Sequence, residues 1–309
     1  MLPVTNNTVS DLTTIILTFN EELHIERCIR SIKPVTNRII IVDSFSTDNT
    51  LNIASSLGVE VVKHHFFNYA TQFNWALDNL TLNSEWVMRF DADEYMEIEL
   101  QNELQHILAN IDESINGIYF KRKVFFNSKW IRYGGIYPQT LLRIWRTGLG
   151  HCEQRWADEH IVLSPGSSTI ITKGHIIDDN HKGITFWIEK HNKYASREAV
   201  DLLNLKYALF IKDDTLFANA DRQAKYKRWI KEKIYARLPL GTRAFLYFIY
   251  RYFLRLGFLD GSKGFTWHFL QGYWYRMLVD LKIRELEERS GGDIEKLKQL
   301  LRDQHGLNI

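Results

Sequence analysis

The sequence predicts an α/β fold: a doubly wound sheet first, then a helical C-terminal region. Three observations predict it. Short apolar runs alternate with amphipathic stretches from residue 12 to residue 90, the pattern of repeated strand–helix units around a parallel sheet. Polar clusters close three of those runs, at the strand ends where such sheets place ligands. From Gly183 onward the apolar period becomes helical and stays so.

Each element follows from its own residues. Residues 12–18 (LTTIILT) form a β-branched apolar run, a strand. Residues 21–32 read as a helix with Leu23, Ile25, Cys28, Ile29 and Ile32 inward. Residues 38–43 (RIIIVD) are apolar without alternation, so this strand is expected to be buried on both faces. A helix over 47–57 is closed by Gly58. A third strand over 59–63, a helix over 69–80 and a fourth strand over 86–90 complete the repeats. Residues 117–126 and 140–145 read as strands with less regular connections, which predicts a mixed extension of the sheet, and 169–177 as a further short strand. Helices are expected over 184–203, 220–237, 243–256 and 262–288, with Gly291-Gly292 as a break before a polar tail helix over 293–304. The expected division is a first domain over 1–204 and a helical region over 205–309.

Composition narrows the class. The 309 residues are 45% hydrophobic and 25% charged, as in a globular chain. Two cysteines exclude a disulfide framework and read as free thiols of a reducing compartment. His151-Cys152 has no second ligand pair at zinc spacing. The first twelve residues hold no basic region before an apolar core, so no signal peptide is expected. Nowhere do 18 apolar residues run uninterrupted, so no ordinary transmembrane helix is expected. The net charge of +2 conceals an asymmetry. Between Arg222 and Arg276 twelve Lys/Arg face only Glu232 and Asp260, alongside sixteen Phe, Trp and Tyr. The two parts of the chain therefore meet different partners.

The most informative local feature is Phe90-Asp91-Ala92-Asp93-Glu94, directly after Trp86-Val87-Met88-Arg89. Asp91 and Asp93 leave a strand end one residue apart, on the same side. Two converging carboxylates make a hard-oxygen site for Mg²⁺ or Mn²⁺ carrying a substrate's phosphates. The bland alternative is a solvated acidic turn. Two further strand ends carry Thr18-Phe19-Asn20-Glu21 and Asp43-Ser44-Phe45-Ser46-Thr47-Asp48.

In this order the three clusters resemble glycosyltransferase family 2, the inverting GT-A enzymes that use nucleotide-diphosphate sugars. The likeness covers roughly residues 12–200. It is greatest to the bacterial branch that extends lipopolysaccharide core, O-antigen and exopolysaccharide chains, including the LOS β-1,4-glucosyltransferase type. The resemblance implies a GT-A fold, a Rossmann-like doubly wound mixed sheet. It makes Asp43 the reader of a uracil ring, with Thr18, Asn20, Glu21 and Ser44 contacting uracil and ribose. It makes Asp93 a metal ligand, with Asp91 facing the metal shell or the ribose, and offers His175 as a third ligand; His181 is a similar candidate. Asp158-Glu159-His160 aligns with the family's acidic dyad, which favours Glu159 as the general base with Asp158 as its rival. Local structure competes for some of these residues. Asn20, Ser46 and Asp48 all suit helix caps, Arg89 suits an ion pair, and the histidines suit structural roles. Either Arg143 or Arg146 could face the diphosphate. Lys190, His191, Lys193 and Tyr194 share a helical stretch that could line an acceptor cleft.

The aromatic, basic C-terminal part reads as amphipathic helices lying on an anionic membrane surface, with Arg251 and Arg255 four apart on one face. Helical core packing is the competing reading. No nucleic-acid motif accompanies the basic residues. The expectation is an inverting, metal-dependent hexosyltransferase, peripheral at the inner face of the bacterial cytoplasmic membrane. It would add a single hexose, glucose by family likeness, from a UDP-sugar to a lipid-linked glycan. The rivals are a polyprenyl-phosphate sugar synthase and a non-catalytic GT-A scaffold at the membrane.

Overall fold

The computed structural model describes residues 11–153, 159–164, 166–209 and 235–305. They divide into two units. The first gathers residues 11–128, 138–153 and 160–181; the second gathers 129–137, 159 and 182–305.

In the first unit the strands are β1 (Leu12–Thr18), β2 (Arg38–Asp43), β3 (Glu60–Lys63), β4 (Trp86–Asp91), β5 (Glu94–Met96) and β6 (Ile115–Phe126). After β7 (Lys129–Ile131) of the second unit come β8 (Gln139–Arg146), β9 (Gly150–Cys152), β10 (Ile161–Leu163) and β11 (Ser168–Asp179). Four helices cover the sheet: α1 (Ile25–Ile32), α2 (Thr50–Ser56), α3 (Tyr69–Asn79) and α4 (Ile98–Asn110). The strand order is β3-β2-β1-β4-β8-β6-β11-β5. The first four strands are parallel; β8 runs antiparallel to both β4 and β6, and β11 pairs parallel with β6 and antiparallel with β5. The sheet is thus mixed beyond β4, as the irregular spacing after residue 110 predicts. Strands β9 and β10 form a separate antiparallel pair.

The core explains the strands. Ile16, Ile41, Met88, Phe90, Ile118 and Ile144 are buried on one face with Ile25, Cys28, Ile29 and Ile32 of α1. Ile15, Val42, Val87 and Trp145 are buried on the other, with Phe73 and Ala76 of α3. Successive residues of one strand thus enter different cores, which is why RIIIVD needs no polar alternation. Helix α1 starts at Ile25 rather than at residue 21. Asn20 sits at φ 55° and Glu21 donates its N–H to Thr50 Oγ1 at 2.7 Å, so this stretch is a loop, and Leu23 is exposed rather than inward.

The second unit contains α5 (Gly183–Tyr207), α6 (Thr242–Ile249), α7 (Gly261–His268), α8 (Tyr275–Ser290) and α9 (Ile294–His305). Helix α5 buries Ala195, Ala199, Val200, Leu202 and Leu203 against Tyr275, Val279, Ile283 and Leu286 of α8. This helix belongs to the second unit, which takes up the chain from Lys182. The two expected helices over 243–256 and 262–288 are each interrupted. Residues 250–254 and 269–274 are π-helical, a 3₁₀ turn covers 257–260, and Leu256 lies at φ 61°. Most of the expected 220–237 helix lies outside the described residues; 235–237 is a 3₁₀ turn. Among the described residues no helix is long and apolar enough to cross a membrane.

The cations of this unit correct the expected basic face. Arg251 is buried, donates to the Gly134 carbonyl at 3.0 Å, and packs over Trp267 and Tyr247. Arg243 is buried against Asp280, and Arg276 pairs with Glu198 at 2.5 Å. Burying a guanidinium requires partners, and these have them. Arg251 and Arg255 therefore do not form a shared exposed stripe; only Arg255 is exposed.

Candidate active site

Register aligns the predicted residues at the sheet's C-terminal edge. Thr18 pairs with Asp43 across β1 and β2, and Leu17 pairs with Asp91 across β1 and β4. The ends of three adjacent parallel strands thus carry Asp43, Thr18 and Asp91, with Asp91 in the row of Leu17, one residue short of the Thr18–Asp43 row.

Asp43 is fully buried. It accepts from Thr18 Oγ1 at 2.9 Å, from Ser46 Oγ at 2.5 Å and from the Ser46 N–H at 2.8 Å. These bonds hold a carboxylate beneath the edge, where burial without partners would be costly. Ser46 is thus bound to Asp43 rather than capping α2. Its hydroxyl also accepts the Asn20 N–H, while Asn20 Oδ1 accepts the Thr47 N–H at 2.8 Å. Asn20 therefore ties the two loops together rather than capping α1. Asp48, one residue before the α2 cap position Asn49, accepts the Thr50 N–H at 3.0 Å. Glu21 Oε2 bonds His24 Nδ1 at 2.8 Å, and Ser44 Oγ accepts from Gln72 Nε2 at 2.8 Å. Phe45 is exposed and held at φ 63°, a strained conformation for a bulky side chain. Phe19, directly after Thr18, is also exposed. Neither aromatic ring was singled out by the sequence, although each adjoins a predicted contact.

Asp91 and Asp93 occupy different surroundings. Strand β4 ends at Asp91, and Ala92-Asp93 turns into β5. Asp91 accepts from Tyr69 Oη at 2.8 Å and from Arg143 Nη2 at 3.1 Å, with Arg89 Nε at 3.7 Å. Burial opposes its ionisation, but Arg143 and Arg89 outweigh burial and hold its carboxyl well below the usual range. Arg143 also meets Glu94 at 2.5 and 2.7 Å. Burial, together with the charge of Asp91, pushes the Glu94 carboxyl up to about 8. The same cluster raises the Cys28 thiol, first by burial and then through Glu94, Asp93 and Asp91. Arg146, by contrast, lies over Trp86 and pairs with Glu85, a structural role away from the acids. Arg89 stacks over Tyr69 at 4.0 Å.

Asp93 is half-buried. Its Oδ2 accepts from Asn180 Nδ2 at 3.0 Å, and its carbonyl accepts the Asp179 N–H at 3.3 Å. Asp179 in turn binds Arg27 at 3.1 Å and His181 Nε2 at 2.8 Å. The structure does not bring His175 to this group. Its carbonyl accepts the Glu97 N–H and its Nδ1 meets Glu97 Oε2 at 3.2 Å. Asp93 faces Asp179, four residues further along β11, roughly 13 Å at the strand rise. The histidine near Asp93 is His181, bound to Asp179.

Among the described residues no three acid, His or Cys side chains form a metal cage. Mg²⁺ or Mn²⁺ in a phosphate site does not require one. Such ions retain waters and use one or two carboxylates plus the substrate's phosphates. Asp93 suits that role better than Asp91, whose two oxygens are held by Tyr69 and Arg143.

Asp158 lies outside the described residues. Glu159 is half-buried and belongs to the second unit. Glu153 and His160 are bonded to each other: the Glu153 N–H donates to the His160 carbonyl at 2.9 Å, and Glu153 Oε1 meets His160 Nδ1 at 3.0 Å. Glu153 is buried, with His160 as its partner, and that burial was not legible in the sequence. In the second unit, His191 stacks on Trp187 at 3.5 Å, and burial lowers its imidazole to about 4.

Comparison with known proteins agrees with this geometry. Residues 13–161 match the family model for glycosyl transferase family 2. An uncharacterized glycosyltransferase of Rickettsia typhi is 40% identical over 99 residues, 32% of this chain and 33% of that protein. The chain thus spans about a third of the length of the Rickettsia relatives it matches. The lipopolysaccharide core biosynthesis glycosyltransferase LpsC of Rhizobium meliloti is 26% identical over 197 residues, 61% of this chain and 70% of LpsC. A mannosyltransferase of Pyrobaculum calidifontis, solved with GDP-Man and Mn²⁺, superposes with a TM-score of 0.50. It is 16% identical and covers 89% of this chain and 87% of its own. The fold is therefore GT-A, a mixed sheet followed by C-terminal helices.

Proposed function

We infer that this chain, which carries a glycosyltransferase family 2 domain over residues 13–161, moves one hexose from a UDP-sugar to a lipid-linked bacterial glycan. The observation that carries the reading is the placement of Thr18, Asp43 and Asp91 at the C-terminal ends of three adjacent parallel strands. Ligands of open α/β sheets bind at that edge. The role of the Rhizobium meliloti relative in lipopolysaccharide core biosynthesis supports a glycan acceptor. Glucose remains the preferred donor sugar by family likeness. The acceptor is met at the inner face of the cytoplasmic membrane, with the helical second unit at the lipid surface.

The residues divide the work. Asp43, fixed by Thr18 and Ser46, accepts the uracil ring N–H, with Asn20, Glu21 and Ser44 around the nucleoside. Asp93 would hold the divalent cation, which when bound offsets the charge developing on the departing diphosphate. Asp91, kept anionic by Arg143 and Arg89, orients the donor beside it. His181 is a better-placed candidate third ligand than His175. Glu159, with Asp158 as the rival, takes the acceptor hydroxyl's proton. The acceptor oxygen then attacks C1 as the bond from C1 to the diphosphate oxygen breaks, with inversion.

A donor screen tests this. Purified protein is offered UDP-, GDP- and dTDP-sugars with and without EDTA, scored by hydrolysis and thermal shift. UDP-sugars should stabilise the protein and be hydrolysed only without EDTA. A response confined to GDP- or dTDP-sugars would remove the uracil role of Asp43. Transfer to polyprenyl phosphate with no glycan present would replace the proposed acceptor.

A further inference from the structure

The second unit exposes a continuous aromatic surface that the transfer chemistry does not use. Phe245, Leu246, Tyr250, Phe253, Leu254, Leu256, Phe258, Leu259, Phe265 and Phe269 are all exposed, Leu254 by 72%. The rings are not scattered. Phe253, Phe258 and Phe265 each lie 5.1–6.3 Å from Tyr252, centroid to centroid. Tyr252 stacks on Phe248 at 5.4 Å, and Tyr273 links Phe248, Phe245 and Phe269 at 5.7–6.4 Å. Soluble surfaces rarely carry a contiguous apolar patch of this kind without a partner.

The backbone is built to present it. Leu256 is held at φ 61° with its side chain exposed, an unfavourable conformation for leucine. The surrounding turns are pinned from beneath. Buried Asp260 accepts the N–H groups of Arg132 and Tyr133 at 3.2 and 2.9 Å, and Arg251 and Arg255 bracket Gly134. Gly134 lies at φ +70°, and a Cβ there would meet the His268 ring at 2.0 Å. The patch is thus fixed rather than collapsed inward.

Charge identifies the occupant. Across residues 237–269 the exposed charged side chains are Arg237, Arg255 and Lys263, and the one acid, Asp260, is buried. An apolar surface whose exposed charges along this segment are all cationic is complementary to acyl chains beneath phosphate headgroups. We propose that residues 245–269 insert into the bilayer interface as an apolar wedge, so that lipid binding is driven by burial rather than by net charge. This deepens the membrane-surface reading above and reverses its driving force, because Arg243, Arg251 and Arg276 are engaged inside the unit.

The test is flotation of the full chain with pure phosphatidylcholine vesicles and with vesicles containing phosphatidylglycerol, at low and high salt. Binding to neutral vesicles should persist in about 0.5 M NaCl, where exposed charges are screened within a few ångströms. The triple variant Phe253→Ser/Leu254→Ser/Phe258→Ser should bind about a hundredfold more weakly. Its circular dichroism and vesicle-free UDP-sugar hydrolysis should be unchanged. If the triple variant misfolds, Leu254→Ser alone should still weaken binding measurably. Wild-type binding only to anionic vesicles and lost in salt, or equal binding by the variants, overturns the wedge. So does a wild-type dimer that the variants convert to monomer, because a second copy would then be the occupant. Absence of sugar transfer with vesicle binding intact would overturn the functional reading and leave the wedge standing.

Discussion

Replacing Arg143 by Met tests how the acidic cluster is held. The Arg143 side chain is 3% exposed, and its Nη2 meets Asp91 at 3.1 Å and Glu94 at 2.5 Å. Methionine fills similar volume but removes the cation these acids share. Arg89 at 3.7 Å from Asp91 and Arg122 at 3.6 Å from Glu94 remain as nearby cations. Breaking a buried ion pair on one side costs about 3–5 kcal/mol, because the surviving charge is left in a poor solvent. Glu94 alters that figure with pH. Its folded-state pKa of about 8 lies above the unfolded 4.5, so its stabilising contribution is complete below 4.5 and is lost as pH rises through 8. Removing Arg143 raises it further. At pH 5 Glu94 is protonated in both proteins, and the deficit is the cost of leaving ionised Asp91 without its nearer cation, about 3 kcal/mol. At pH 9, above the wild-type Glu94 value of about 8, the deficit is larger, because Glu94 ionises beside Arg143 in the wild type and has no such partner in the variant. Urea unfolding of wild type and variant at the two pH values, followed by far-UV circular dichroism, measures the difference. A deficit under about 1 kcal/mol at both, or one that does not grow with pH, would refute the assignment of Arg143 as the shared counter-ion.

Three further outcomes follow from the same geometry. Asp93→Asn should abolish EDTA-sensitive UDP-sugar hydrolysis by about a hundredfold or more, with unfolding changed by less than about 1 kcal/mol because the side chain is only half-buried. Asp43→Ala should cost about 1–3 kcal/mol for each buried donor it orphans, Thr18 Oγ1 and Ser46 N–H among them, and should erase the preference for uridine nucleotides in thermal-shift assays. His191, lowered to about 4 by burial, is stabilising in its neutral form above pH 6.5, and that stability is lost as pH falls through 4. His191→Phe keeps a ring against Trp187 and should flatten the melting-temperature profile between pH 4 and 7.

What was legible in the sequence was local. Strands β1, β2 and β4 could be read because their apolar runs are short and bounded by polar clusters, and α3 because Asn68 caps it by accepting the Thr71 N–H at 2.7 Å. The start of α1 was misplaced because the bond that makes residues 20–24 a loop comes from Thr50, a residue distant in sequence. Asp91 and Asp93 were legible as a pair, but not their separation into two environments. Arg143 lies 52 residues beyond Asp91, and Asn180 lies 87 beyond Asp93. No spacing rule joins residues brought together only by sheet order. For the same reason His175 and His181 were indistinguishable until β5 and β11 were paired.

The C-terminal helices show the same limit with greater consequence. Period and composition indicated amphipathic helices, but an arginine in an apolar segment can point to headgroups or inward to a carbonyl. Arg251 points inward because the Gly134 carbonyl, 117 residues earlier, accepts its Nε–H. Arg251 lies in the π-helical turn over 250–254, and Phe253 and Leu254 of the same turn are exposed. The same arginine that suggested electrostatic attachment is therefore what anchors an apolar surface. A basic count over 222–276 overstates the charge available to lipid, because Arg243, Arg251 and Arg276 already neutralise or satisfy groups of their own unit. What the bilayer meets is set by which side chains the fold leaves outside, and around Tyr252 those are Phe253, Phe258 and Phe265.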